Sequence, residues 1–220
     1  KIDIAIDLAG STNNCRTAIF AYRAAPIQIN YLGFPGTMGA EFMDYIIGDA
    51  TVVPDESGKH YRENVIRLPN AYMPTDNTRE VPSAAVRRSE IGLPEASFVF
   101  CAFNQGYKIT PREFDIWMRL LLQVDGSVLW LRSWYPQAKK NLCLEAEARG
   151  VDSSRLIFAE TAVGTKHLAR LKSADLFLDT FSFNAHSTAI DALWAGLPVV
   201  TKLGESFAAR VAGSLLAALG

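Results

Sequence analysis

Cysteine and histidine are scarce in this chain, three of each among 220 residues. Cys15, Cys101 and Cys143 are odd in number, far apart and set among apolar neighbours, which argues against a disulfide framework. Buried, reduced thiols in a cytoplasmic protein are expected instead. His60, His167 and His186 form no paired ligand spacing, so neither a structural nor a catalytic metal site is expected. No apolar run approaches the roughly eighteen residues of a membrane span, so no membrane association is predicted. The net charge of −1 lacks the clustered basic excess of a nucleic-acid surface. Also missing are the glycine-rich dinucleotide fingerprint and the Walker pattern, which speaks against dehydrogenase and P-loop chemistry. The chain opens on Lys1 rather than methionine and carries no secretory signal.

What is present is an ordinary globular composition, 49% hydrophobic and 20% charged, in a chain long enough for one large domain or two small ones. Residues 2–8 alternate apolar and acidic positions like a strand. A short helix is expected at 16–22, and strands at 26–32, 45–47 and 65–68. From 69 to 94 the composition turns to proline, asparagine, serine and charge, which reads as a connector. Beyond it the pattern is regular. Apolar strands at 98–102, 127–131, 156–158, 176–178 and 199–201 alternate with helices at about 111–123, 137–149, 165–172, 187–195 and 206–219. Pro111 sits where a helix start tolerates its missing N–H, and Gly150 and Gly196 sit where helices should stop. Such alternation predicts an α/β fold with a parallel sheet and right-handed crossovers. Because the chain begins in a strand, it is expected to be a fragment. Residues 1–68 would be the end of one Rossmann-like domain, and 95–220 most of a second, truncated at its C-terminus.

Parallel sheets bind ligands beyond the carboxyl ends of their strands. Two such loops carry phosphate-type residues. After the strand at 176–178, Phe183-Asn184-Ala185 leads to His186-Ser187-Thr188 in the first turn of an amphipathic helix. The first amides of a helix lack acceptors and the macrodipole makes that end positive, so hydroxyls and an imidazole there complete an anion pocket. Ser187 or Thr188 could equally be an ordinary N-cap. After the strand at 98–102, Lys108 supplies a charge and Gln105 an amide that could reach phosphate oxygens, although a lone lysine in a loop is usually just solvated. After the strand at 156–158, backbone groups with His167 and Arg170, one helical turn apart, could hold a base and ribose; His167 could also be a plain helix-surface residue. Asp191, one turn into its helix, could accept from sugar hydroxyls or simply complement the dipole. Three glycines at three-residue spacing, Gly33, Gly36 and Gly39, admit either a close backbone approach to a ligand or plain turns. Trp117 and Trp130 are expected in the core, and Glu145, Glu147 and Arg149 on a polar helix face.

As a set these residues resemble the O-linked N-acetylglucosamine transferase family, glycosyltransferase family 41, which includes the plant SPINDLY proteins. The blocks are Ala25-Pro26-Ile27-Gln28, Leu32-Gly33-Phe34-Pro35-Gly36-Thr37, Phe42-Met43-Asp44-Tyr45-Ile46-Ile47, Phe103-Asn104-Gln105, Tyr107-Lys108-Ile109, Asn184-Ala185-His186-Ser187-Thr188, Asp191-Ala192-Leu193-Trp194-Ala195-Gly196 and Gly204-Glu205. They run nearly end to end in the family's order. The resemblance implies a GT-B fold, two Rossmann-like domains with the nucleotide sugar held mainly by the second. It implies inverting transfer of N-acetylglucosamine from UDP-N-acetylglucosamine to protein Ser or Thr, with no metal and no other cofactor. Gln105 and Lys108 would contact the diphosphate, with Lys108 the residue of largest effect on rate. His186, Ser187 and Thr188 would bind it at the helix start, and Asp191 would serve the ribose. Ala162, His167 and Arg170 would surround the uracil, and Leu32, Gly33 and Pro35 would line the sugar side.

The chain departs from the pattern in several places. The family's upstream tetratricopeptide repeats, expected to recruit the protein acceptor, and its histidines near the sugar do not occur here. Gly164 stands where the family usually has a lysine, and Phe183 where animal members carry a smaller cysteine. The short connector favours a bacterial type. Other readings of the same scaffold are a transferase using GDP-fucose or UDP-glucose, a nucleotide-sugar epimerase, and a non-catalytic nucleotide-binding module.

Overall fold

The computed structural model describes residues 2–220, which divide into two compact units. The first comprises residues 2–75 together with 203–220; the second comprises 76–202. No helix among the described residues is long and apolar enough to cross a membrane.

In the first unit β1 (Ile4–Asp7), β2 (Ile27–Asn30), β3 (Tyr45–Asp49) and β4 (Asn64–Leu68) form a parallel sheet in chain order. Parallel strands cannot be joined by tight turns. Here β1 and β2 are linked through a 3-10 helix at Thr17–Tyr22, and β3 and β4 through another at Asp55–His60. Ile46, Val52, Val53 and Tyr72 are each at most 1% exposed and pack with Phe207 and Val211. Buried Asp49 organises this core. Its carboxylate accepts from the amides of Thr51, Val52 and Tyr72 at 2.8–2.9 Å and from Ser214 Oγ at 2.6 Å.

The second unit carries β5 (Val99–Ala102), α1 (Pro111–Gln123), β6 (Val128–Arg132), α2 (Pro136–Glu147), β7 (Leu156–Ala159), α3 (Gly164–Leu171), β8 (Leu176–Leu178), α4 (Ser187–Trp194) and β9 (Val199–Val200). All strand pairs are parallel, in the order β7-β6-β5-β8-β9. The chain winds outward from β5 to β7, then restarts on the other side at β8. The boundary between β5 and β8 is therefore the switch point of a doubly wound sheet, where ligands bind. On α1, Phe114, Trp117, Met118 and Leu121 recur at the 3.6-residue period and are at most 3% exposed. They pack against Phe100, Leu129, Leu131 and Leu178 of the sheet. Trp130 is buried, as the sequence predicts.

Three expectations change. The terminal segment belongs with the first unit, not the second, and its single expected helix at 206–219 is a 3-10 turn at Phe207–Ala209 followed by α5 (Val211–Leu219). Arg210 intervenes and donates to the Thr51 and Gly204 carbonyls at 2.5 and 2.8 Å. The connector is not a free linker: it divides at residue 75, and its second part packs onto the second unit. There Arg88 donates to the carbonyls of Ser97 and Ser173 and pairs with Asp175 at 2.7 Å. Finally, of the three free cysteines only Cys101 is buried; Cys143 is half-buried and Cys15 exposed. Burial pushes the Cys101 thiol pKa well above its ordinary value, against the opposing charge of Arg170.

Candidate nucleotide-binding site

At the switch point the loop after β5 meets the loop after β8. β5 runs into Phe103 and Asn104, then a 3-10 turn over Gly106–Lys108 whose cap is the exposed Gln105. β8 is followed by Asp179, from which a tight loop returns to α4. Asp179 is 1% exposed and is the hub of both loops. It accepts from the amides of Thr180 and Ala185 at 2.7 and 2.6 Å, from Asn104 Nδ2 at 3.0 Å and from Thr201 Oγ1 at 2.7 Å. Burial raises its pKa while these four donors oppose the rise. Thr180 Oγ1 donates to the Phe183 carbonyl and Asn184 Nδ2 to the Thr180 carbonyl, both at 2.7 Å, which closes the loop on itself.

Lys108 reaches across this frame. Its Nζ donates to the Asn184 carbonyl at 2.9 Å and lies 4.0 Å from the centroid of the Phe183 ring. That ring stacks on His186 with centroids 4.8 Å apart. Burial lowers the Lys108 pKa to about 8, with the charge of Asp179 acting in the opposite sense. An ammonium carries three donors, and the carbonyl takes one. A half-buried cation held by a neutral oxygen and a ring face is well placed to gain from an arriving anion.

The start of α4 separates the two readings left open by the sequence. The cap position is His186, with no side-chain cap bond to the helix amides. Ser187 is exposed, and Thr188 Oγ1 donates instead to Asn104 Oδ1 at 3.3 Å. Neither hydroxyl acts as an ordinary N-cap. Among the described residues no side chain at these three positions caps the helix amides, the condition an anion site needs.

Beside this cradle, within the same unit, lies a crevice of about 320 Å³ lined by Arg79, Phe103, Arg132, Thr161, Ala162, Val163, Gly164, His167, Arg170, Thr188 and Asp191. Arg170 is 8% exposed, lies 4.7 Å from the Phe103 ring and donates to the Glu160 carbonyl. Its Nε also donates to His167 Nδ1 at 3.2 Å. An Nδ1 that accepts leaves the proton on Nε2, which faces Asp191 Oδ2 at 3.6 Å. Burial first, then the Arg170 charge, lowers the His167 pKa, so the imidazole is neutral and presents a flat face near that of Phe103. Asp191 Oδ1 pairs with Arg79 at 2.6 Å.

The structure therefore brings Lys108, His186, Ser187 and Thr188 to one loop junction, and Ala162, His167, Arg170, Thr188 and Asp191 to one crevice. Leu32, Gly33 and Pro35 belong to the first unit, after β2. Leu32 has φ +78°, and a Cβ on Gly33 would lie 2.3 Å from the Leu8 carbonyl, so only glycine fits there. Buried Glu63 accepts from Thr37 Oγ1 and the Met38 amide, and Asn30 Nδ2 donates to the Gly36 carbonyl at 3.0 Å, so this loop is tied down. Pro35 lines a separate cavity of about 240 Å³ in the same unit. Sequence reasoning missed Arg79 and Arg132. Arg132 ends β6, where the carboxyl-end rule could have found it; Arg79 lay hidden in connector composition. Among the described residues no group of three or more His, Cys, Asp or Glu could hold a metal ion.

A doubly wound parallel sheet with a lysine and a helix start meeting at its switch point, beside a crevice lined by aromatic and charged side chains, defines an α/β protein of the GT-B type. The sequence matches glycosyl transferase family 41 over residues 1–87 and 75–220, and the chain belongs to that family. It is 40% identical over 225 residues to the probable UDP-N-acetylglucosamine–peptide N-acetylglucosaminyltransferase SEC of Arabidopsis thaliana, covering 100% of this chain and 23% of that one. It is 30% identical over 230 residues to the probable enzyme of the same name, SPINDLY, from Eustoma exaltatum subsp. russellianum, covering 100% and 24%. A mutant form of the Thermobaculum terrenum O-GlcNAc transferase superposes with a TM-score of 0.85 at 33% identity, covering 98% of this chain and 41% of that one. The chain thus spans about a quarter of the length of these curated relatives.

Proposed function

We propose that these residues form the nucleotide-sugar-handling part of an enzyme that moves N-acetylglucosamine from UDP-N-acetylglucosamine onto serine or threonine hydroxyls of proteins, with inversion and without a metal. The observation that carries this reading is the bond of Lys108 Nζ to the Asn184 carbonyl, 2.9 Å long, at the entrance to α4. It joins two loops, 76 residues apart in sequence, into one anion cradle.

In the transfer the acceptor hydroxyl gives up its proton to a general base as its oxygen bonds to the sugar's anomeric carbon and the bond from that carbon to the diphosphate breaks. The departing UDP gains negative charge. Lys108, the hydroxyls of Ser187 and Thr188, and the first amides of α4 take up that charge; Gln105 and His186 complete the contacts. Each charge-assisted hydrogen bond of this kind is worth roughly 1.5–3 kcal/mol, and donors aimed at developing charge lower the barrier most. Backbone groups at Ala162, with neutral His167 and buried Arg170, suit a flat, uncharged base, and Asp191 suits ribose hydroxyls. The relatives' names supply the donor and the peptide acceptor. Recruitment of the acceptor through tetratricopeptide repeats elsewhere in a full-length bacterial-type enzyme completes the proposal.

Calorimetry with UDP, ADP and GDP tests it. UDP is expected to bind, with affinity weakened about tenfold on Lys108→Ala and weakened also on His186→Ala. Preference for GDP, or UDP binding indifferent to both substitutions, would refute the assignment.

A further inference from the structure

The segment 76–91 carries the composition of a connector, yet it contributes Arg79 to the wall of the crevice. Arg79 is fastened to α4 at two points. Its guanidinium Nη2 meets Asp191 Oδ1 at 2.6 Å, and its own carbonyl accepts from Trp194 Nε1 at 3.2 Å. Asp191 and Trp194 are three residues apart, one helical turn, so they lie on one face of α4 and the segment crosses that face. The pair is partly shielded, with side-chain exposures of 29% and 21%.

The consequence lies in what is left over. Oδ1 of Asp191 is taken by Arg79, while Oδ2 turns to the crevice side, 3.6 Å from His167 Nε2. The charged and titratable groups gathered there are Arg79, Arg132, His167, Arg170 and Asp191, so among the described residues Asp191 is the one carboxylate on the crevice wall. Resting on the nucleotide reading above, we propose that Arg79 is a positioning residue for ribose recognition. By pinning Oδ1 it fixes the carboxylate's rotation and keeps Oδ2 presented to the vicinal diol of a ribonucleotide. A carboxylate oxygen can accept from both hydroxyls of such a diol, and no proton or covalent bond changes hands. The segment 76–91 thereby becomes part of the nucleotide site.

The test measures affinities of UDP and 2′,3′-dideoxy-UDP for the full chain, its Arg79→Gln, Arg79→Lys and Asp191→Asn forms, and the Arg79→Gln/Asp191→Asn double variant. The unsubstituted protein should prefer UDP. Arg79→Gln should weaken UDP binding roughly tenfold while leaving the dideoxy compound unchanged, with Arg79→Lys in between. The double variant should be no worse than Asp191→Asn alone, because the two residues act as one unit. An equal loss for both nucleotides, or additive losses in the double variant, would overturn the proposal, as would an absence of UDP preference in the unsubstituted chain. Failure of the unsubstituted chain to bind either nucleotide would instead overturn the nucleotide reading on which it rests.

Discussion

Lys108 is expensive to bury as a cation, and its lowered pKa of about 8 records that cost. A bound diphosphate favours the charged form and raises this pKa. The sign follows: below pH 8 the ammonium is present in both free and bound states, whereas above pH 8 binding must first take up a proton. UDP affinity should therefore change little from about pH 7 up toward 8, where the terminal phosphate of UDP is already ionised, and fall as pH rises past about 8, with a proton bound per nucleotide in that range. Calorimetry in buffers of different ionisation enthalpy reads this directly; affinity that stays flat to pH 9.5 would remove Lys108 from the diphosphate site. Asp179 is the second residue to probe. Replacing it by alanine strands buried donors on Thr180, Ala185, Asn104 and Thr201, each costing about 1–3 kcal/mol if left unpaired. Chemical denaturation should show a loss of at least about 3 kcal/mol, and a loss below about 1 kcal/mol would show that the hub is dispensable.

Among the elements, α1 anchors the second unit's sheet through Trp117, which is 2% exposed. Trp117→Ala should cost about 3–5 kcal/mol in denaturant unfolding, with no direct effect on the groups at the switch point. A change under 1 kcal/mol would mean the helix is held elsewhere. The elements legible in the sequence were those with strong periodicity: α1 has the bounds expected, and the strands lie within a residue or two of their positions. What was not legible shares one cause. Arg79 and Arg88 look like solvated linker charges until their partners, Asp191 and Asp175, are brought to them by the fold. The break at Arg210 likewise depends on the Thr51 carbonyl, 159 residues away in sequence. Hydrophobic periodicity reports which face of an element is buried, not which distant carbonyl a side chain will find. The site shows the same division. Loops at strand carboxyl ends were legible from topology, while Asp179, one residue past the strand expected at 176–178, carried no signal in the hydrophobic pattern.

At the scale of the molecule, the proposed function ties a doubly wound sheet to leaving-group stabilisation. The strand order places the switch point between β5 and β8, the Asp179 network fixes the loops there, and Lys108 closes the cradle. The most direct measurement is steady-state and binding analysis of Lys108→Ala in the full-length enzyme, with UDP-N-acetylglucosamine turnover and UDP dissociation constants taken side by side. A cation that acts mainly on charge appearing in the transition state should lower kcat by roughly 10²–10³ while weakening UDP by only about tenfold. Parallel losses in kcat and UDP affinity, or full turnover without the lysine, would contradict that claim.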